Sequence, residues 1–125
     1  METKRMFLGG TRALIGIGTW FAPELTGRAF GFQLARNDRF IGRLFAAREL
    51  ALAATLLAAN PNQLPAVAAV GAAVDAADAI AGLDETRRGN VSKLTFFSGV
   101  TGAMLFAAIG AWIAREAADA AGDGD

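Results

Sequence analysis

Hydrophobic residues fall into four long segments of this chain, and charged residues collect mainly between the segments. The segments are residues 6–22, 40–59, 65–83 and 94–114. A helix on the surface of a soluble protein carries a polar stripe along its length, and these segments lack one. Each is about 17–21 residues long, close to the roughly 20 residues that a helix needs to cross the hydrocarbon core of a bilayer. The pattern predicts an all-α fold, namely a bundle of four transmembrane helices that run up, down, up and down with short loops.

Turn signals mark where the segments end. Pro23 follows the first segment, Asn60-Pro61-Asn62 ends the second, and a polar run at 84–90 separates the last two. We therefore expect a single four-helix transmembrane domain over residues 1–116. The remaining residues, 117–125, are acidic and contain glycine, so we expect a disordered tail there.

The main alternative is a soluble, alanine-rich four-helix bundle, because alanine is only mildly hydrophobic. The third segment separates the two interpretations. Its only polar side chains are Asp75 and Asp78, which lie three positions apart on one narrow helix face. The rest of that helix has no stripe that could face water, so the membrane interpretation is favoured.

The distribution of basic residues predicts how the bundle lies in the membrane. The loops after the first and third segments share a side and carry six basic residues, against three on the opposite side. Positive residues prefer the cytoplasm, so we expect these loops inside and both termini outside the inner (plasma) membrane, although the basic start of the chain argues for the reverse. Over 26–34, aromatic residues beside an arginine predict a short helix along the interface. The six residues are Arg28, Arg36, Arg39, Arg87, Arg88 and Lys93, and the three are Lys4, Arg5 and Arg115.

Composition excludes several kinds of site. The chain has no cysteine and no histidine, which removes disulfides, thiolate metal sites and the commonest general base. We therefore expect no metal site and no cofactor. The 12 basic and 12 acidic residues give no net charge, so nucleic acid is not an expected partner. Arginine far outnumbers lysine and alanine is abundant, which is typical of a GC-rich bacterial genome.

Five ionisable residues interrupt the apolar segments at similar depths. They are Arg12 in the first segment, Arg48 and Glu49 in the second, and Asp75 and Asp78 in the third. Counted from the predicted cytoplasmic ends, Arg12, Arg48 and Asp75 lie about 12–15 Å deep. A charge at a helix centre costs about 2.5–3.5 kcal/mol to insert, so it needs a partner of opposite sign. We predict a buried network of two arginines and up to three carboxylates that joins the first three long helices, with Arg48 coupled to Asp75.

This charge network is compatible with several functions. It can line a polar site for a small or lipid-like ligand or for a membrane partner. It can also be a charge-paired clasp that fixes helix register and has no further role. Whether the protein is an enzyme stays open: an acid–base isomerase or cyclase for an isoprenoid-like substrate would donate a proton from a carboxylate and steady the charge with an arginine. A small proton-coupled transporter that works as a dimer is a further alternative.

The space around the network distinguishes these functions. A cavity of roughly 300 Å³ or more that opens to lipid would favour a ligand site or an enzyme. A tightly packed network would favour the clasp, and a water-filled path at a two-fold interface would favour transport. The expected partners are the lipid bilayer, a small or lipid-like ligand, and further copies of the chain in a homo-oligomer.

Short motifs around these charges resemble those of a known family. They are Arg12 with Gly16, Ala22-Pro23, the run LFAARELAL at 44–52, and Asp75-Ala76-Ala77-Asp78. The pattern resembles a family of small four-helix bacterial membrane proteins of unknown function, common in actinobacteria and akin to DoxX-like proteins. The resemblance covers nearly the whole chain. It implies a four-helix membrane fold and carries over no catalytic residue.

Overall fold

The structure is a computed structural model that describes residues 1–32 and 38–123, and within these residues it contains helices and no β-strand. The all-α expectation is therefore confirmed for the described part of the chain. The final helical segment of the chain, Lys93–Asp123, contains a π-helical turn, in which the backbone is locally widened. The elements are α1 (Glu2–Phe21), α2 (Pro23–Ala29), α3 (Asp38–Ala58), α4 (Leu64–Arg87), α5 (Lys93–Thr95), the π-helical turn (Phe96–Val100) and α6 (Thr101–Asp123).

Two helices are long and apolar enough to cross a membrane, judged by length and composition: α4 and the final segment Lys93–Asp123. The other two long helices, α1 and α3, are less hydrophobic on average. Lys4, Arg5 and Arg12 lie in α1, and Arg43 and Arg48 are among the charges of α3. Composition therefore marks the second half of the chain as its more membrane-like half.

The helices α1 and α3 are antiparallel neighbours. Near the start of α1, Arg5 donates to the carbonyl of Leu56 at the end of α3. At the other end, Arg43 near the start of α3 donates to the carbonyl of Trp20. Opposite ends of the two helices therefore meet, as expected for successive long helices of an up-and-down bundle.

Glycine allows α1 and α3 to approach closely. A Cβ atom on Gly16 would lie 2.7 Å from Leu50 Cγ and 3.2 Å from the carbonyl oxygen of Ala46. A Cβ on Gly9 would lie 2.6 Å from Leu57. Small residues serve this purpose at helix contacts, especially in membranes.

The bundle consists of two helix pairs. α1 packs mainly on α3, and α4 packs mainly on the final helical segment, with fewer contacts between the pairs. An apolar core fills the space between them near one end of the bundle, and the charged residues lie further along. The core residues are Leu8, Leu56, Ala59, Leu64, Ala68, Ile113 and Ala117.

The polar run predicted as a loop at 84–90 is partly helical, which corrects the sequence-based boundary. α4 continues past Leu83 to Arg87. Asp84 pairs with Arg87 at 2.8 Å and with Arg88 at 3.0 Å. Pairs three and four residues apart stabilise a helical turn, and the arginines favour the negative end of the helix dipole. These contacts extend the helix by about one turn.

Two further predictions need correction. The tail expected to be disordered, 117–125, instead continues α6 as helix to Asp123, since its alanines have the highest helix propensity. The short interfacial helix expected at 26–34 begins earlier and is α2, because Pro23 suits a first helical turn. Residues 33–37, including Arg36, and residues 124–125 lie outside the described residues.

Candidate functional site: a buried charge network

Arg12 is the centre of the charge network. The residue is 1 % exposed, and its two terminal nitrogens reach different helices. Nη1 donates to Glu49 Oε2 of α3 at 2.9 Å, and Nη2 donates to Asp75 Oδ2 of α4. The guanidinium also lies 5.2 Å from the ring centroid of Phe106 in α6, a distance typical of a cation–π contact. One side chain of α1 therefore contacts the other three long helices.

The surroundings of Arg12 fit a paired charge. Glu49 and Asp75 are each 3 % exposed, so both carboxylates share the guanidinium fork away from solvent. Gly71, one turn before Asp75, lies beside the fork, and a Cβ there would be 3.7 Å from Arg12 Nη2, an ordinary van der Waals distance. Buried charges are tolerated when paired and hydrogen-bonded, and this arrangement meets both conditions.

A second pair lies beside the first. Arg48 of α3 donates to both carboxylate oxygens of Asp78 in α4, at 3.2 and 2.7 Å. Its Nη2 also lies 3.8 Å from Glu49 Oε1, which joins the two pairs. The coupling expected between Arg48 and Asp75 is therefore replaced by a pair with Asp78, while Arg12 takes Asp75. Phe45 covers one face of the Arg48 guanidinium at 5.1 Å.

The two pairs differ in exposure. In contrast to Arg12 and its partners, the side chains of Arg48 and Asp78 are 39 % and 36 % exposed. All five predicted site residues are thus brought together, with the Arg12 side enclosed and the Arg48 side open. Three carboxylates face two guanidinium groups, so the network as a whole carries one more acidic group than basic groups.

Little empty space adjoins the enclosed half of the network. The cavity beside Arg12 has a volume of ≈ 10 Å³, about enough for one small solvent molecule. A broader depression of ≈ 500 Å³ lies elsewhere, along one face of α6 that includes Trp112 and Glu116, and is open to the outside. Among residues 1–32 and 38–123, no group of three or more acidic side chains is placed to hold a metal ion.

Arg5 has a role that the sequence pattern did not indicate. It donates to the carbonyl oxygens of Leu56 at 2.8 Å, Leu57 at 3.0 Å and Ala59. These carbonyls belong to the last turn of α3 and its exit, where a helix leaves acceptors without partners. The partners are more than fifty residues apart in the chain, so no local spacing could have revealed this cap.

Replacing Arg5 with alanine should lower the free energy of unfolding by about 1–2 kcal/mol, because the carbonyls at the end of α3 lose charged donors. Arg5→Lys should recover only part of this loss, since one ammonium group cannot reproduce the planar fork. Thermal unfolding of the detergent-solubilised protein, followed by circular dichroism, measures the change. Arg28→Ala, at an exposed position, is the control, and equal midpoints for the Arg5 and Arg28 variants would contradict the capping role.

Comparison with known proteins does not add to this picture, because no family model, curated protein or solved structure matches the chain. The resemblance to DoxX-like proteins therefore stays a prediction from short sequence motifs, including those around Arg12, Arg48 and Asp75.

Proposed function

We propose that the protein crosses the inner membrane four times, with α1, α3, α4 and the final helical segment as the spans. The supporting observation is that burial is inverted relative to a soluble protein. Arg12, Glu49 and Asp75 are buried, whereas Leu14 and Phe21 are 74 % and 76 % exposed. Soluble proteins seldom leave so many large apolar side chains in water. A lipid bilayer is the environment in which such an apolar surface is favourable.

The two ends of the bundle support the same proposal. At one end Lys4 lies 4.3 Å from the Trp112 ring centroid, and at the other Arg43 lies 5.1 Å from that of Trp20. Tryptophan and snorkelling basic residues are typical of membrane interfaces. The sixteen residue steps from Lys4 to Trp20 span about 24 Å of helix, slightly less than the roughly 30 Å thickness of a hydrocarbon core. Arg12 lies midway between the two levels.

We propose further that the charge network has two roles. The enclosed pairs of Arg12 hold the two helix pairs together as a clasp. The open pair of Arg48 and Asp78 binds a membrane-embedded partner or a lipid-like ligand, since a half-exposed ion pair at this depth needs a polar cover. The protein is then a non-enzymatic multi-pass binding protein.

Catalysis and transport have less support from the geometry. An isomerase or cyclase needs a pocket for its substrate beside the carboxylates, and the cavity next to Arg12 holds only ≈ 10 Å³. A proton-coupled transporter needs a water path to its carboxylates, and Glu49 and Asp75 are buried against Arg12. Binding at the open pair requires neither feature.

Single-cysteine labelling tests the four-span arrangement, because the chain contains no native cysteine. Cysteine replaces one exposed residue at a time, and whole cells are treated with a membrane-impermeant maleimide before and after permeabilisation. We expect Thr3→Cys and Asn62→Cys to react in intact cells. We expect Ala29→Cys and Asn90→Cys to react only after permeabilisation.

The labelling pattern separates the alternatives. If only α4 and the final segment span the membrane, Thr3, Ala29 and Asn62 lie on one side and give the same result, which would overturn the proposal. A complete exchange of the two pairs would retain four spans and reverse the predicted orientation. Extraction of the protein from membranes without detergent would contradict insertion altogether.

A further inference from the structure

The open ion pair presents opposite charges at the same depth on neighbouring helices. Arg48 of α3 and Asp78 of α4 are joined by two hydrogen bonds, so their side chains lie at one level of the bundle. Both are more than one-third exposed on the outside of the helix pairs. In a membrane-spanning chain this level lies inside the hydrocarbon layer, where an uncovered charge is costly.

This arrangement is complementary to itself. A two-fold axis along the membrane normal keeps every residue at its depth and exchanges left with right across the interface. Such an axis would place Arg48 of one copy opposite Asp78 of the second copy, and Asp78 opposite Arg48. An isologous dimer requires this kind of reciprocal match. Most partly exposed charges lack this reciprocal match, because a lone arginine or aspartate near the axis would meet the same residue, and so the same charge, of the second copy.

The pair has hydrogen-bonding capacity to spare for a second copy. A guanidinium carries five N–H donors, and a carboxylate has about four acceptor positions. Within the chain, Arg48 gives Asp78 one bond from each of Nη1 and Nη2. The outer N–H groups and the outer lone pairs can therefore serve a facing pair, giving a cluster of two positive and two negative charges.

The surface next to the pair permits close approach. Ala51 lies one turn from Arg48 on α3, and Ala81 lies one turn from Asp78 on α4. Both alanines are exposed. Small side chains beside a polar pair allow the backbones of packed membrane helices to come near each other.

We infer that a second copy of this chain covers the Arg48–Asp78 pair, in a parallel two-fold dimer whose interface is formed by α3 and α4. This inference depends on the proposed membrane-spanning arrangement and specifies the partner of the open pair. The hydrogen bonding of the pair is then complete only in the dimer, because each guanidinium is shared between its own Asp78 and that of the second copy.

Cross-linking of the otherwise unaltered protein tests the dimer. The Ala51→Cys variant, reconstituted in lipid vesicles, is treated with a short bis-maleimide and run on a denaturing gel. We expect a covalent dimer as the major product. Ala108→Cys is the matched control: it is exposed, and it lies two residues from Phe106 as Ala51 lies two residues from Glu49, so its depth is similar. It should remain monomeric, since α6 is outside the proposed interface.

A second measurement tests the charges themselves. Arg48→Gln combined with Asp78→Asn removes both charges and keeps similar side-chain volumes. We expect the dissociation constant of the dimer, measured by fluorescence energy transfer on dilution with lipid, to rise about tenfold. An unchanged constant would overturn the role of the pair.

The outcomes of these experiments distinguish failure of the dimer from failure of the four-span membrane proposal. If the labelling pattern shows four spans and Ala51→Cys stays monomeric at every protein-to-lipid ratio, the dimer is wrong and another molecule covers the pair. Equal cross-linking of Ala51→Cys and Ala108→Cys would show random collision and would also overturn it. A labelling pattern without four spans overturns the membrane proposal itself.

Discussion

Replacing Arg12 with alanine is expected to lower the free energy of unfolding by about 3–5 kcal/mol, the largest effect of any single substitution in this chain. The change leaves Asp75 buried without its basic partner, and it leaves Glu49 with only the 3.8 Å contact to Arg48. It also removes a side chain that contacts α3, α4 and Phe106 together. Size-exclusion chromatography of a fluorescent fusion, followed by a thermal melt in detergent, would measure the loss.

Neutralising all three partners separates the charge effect from the loss of packing. The variant Arg12→Met, Glu49→Gln, Asp75→Asn leaves no uncompensated charge, so it should recover most of the lost stability. Arg28→Ala changes an exposed arginine and should unfold like the unaltered protein. A triple variant as unstable as Arg12→Ala would show that shape and not charge makes Arg12 necessary.

Replacing Gly16 with valine is expected to separate α1 from α3 and to lower stability by about 3 kcal/mol. The new Cβ would lie 2.7 Å from Leu50 Cγ and 3.2 Å from the backbone oxygen of Ala46, and the backbone cannot rotate away as a side-chain tip can. The same thermal melt gives the effect.

Gly10 supplies a matched control for Gly16 on the same helix. A Cβ at Gly10 meets nothing within 4 Å. Gly10→Ala should therefore be neutral or slightly stabilising, because alanine favours helix over glycine. Gly16→Ala should destabilise by the same measurement. Similar melting temperatures for the two alanine variants would contradict the close contact between α1 and α3.

The meeting of the charges could be predicted from sequence because helical rise is fixed. Counting residues from the segment ends placed Arg12, Arg48 and Asp75 at one depth, and the structure brings them into one network. The choice of partners depends on how each helix is rotated about its axis. Asp75 and Asp78 lie three residues apart on the same face, so depth alone could not decide which of them pairs with Arg48.

For other features of the structure, the sequence contained only weak or conflicting signals. Phe106 is one of several aromatic residues on an apolar helix, and nothing in its spacing marks it as the residue that lies over Arg12. The sequence did contain a signal for the extension of α4, because Arg87 and Arg88 follow Asp84 at helical spacings. The polar composition of the same residues indicated a loop. Charge in α1 and α3 lowers their hydropathy, although the same charge is what the network buries.

The order of the helices along the chain has a consequence for biosynthesis. Chains are made from the N-terminus onward, so in the proposed membrane arrangement Arg12 and Arg48 leave the ribosome before Asp75 and Asp78 do. A nascent chain that stops before α4 would hold Arg12 and Arg48 against the single carboxylate of Glu49. Such a fragment would be a target for membrane quality control until α4 supplied the missing carboxylates. In that arrangement the charge pairing is complete only once the third long helix has been made.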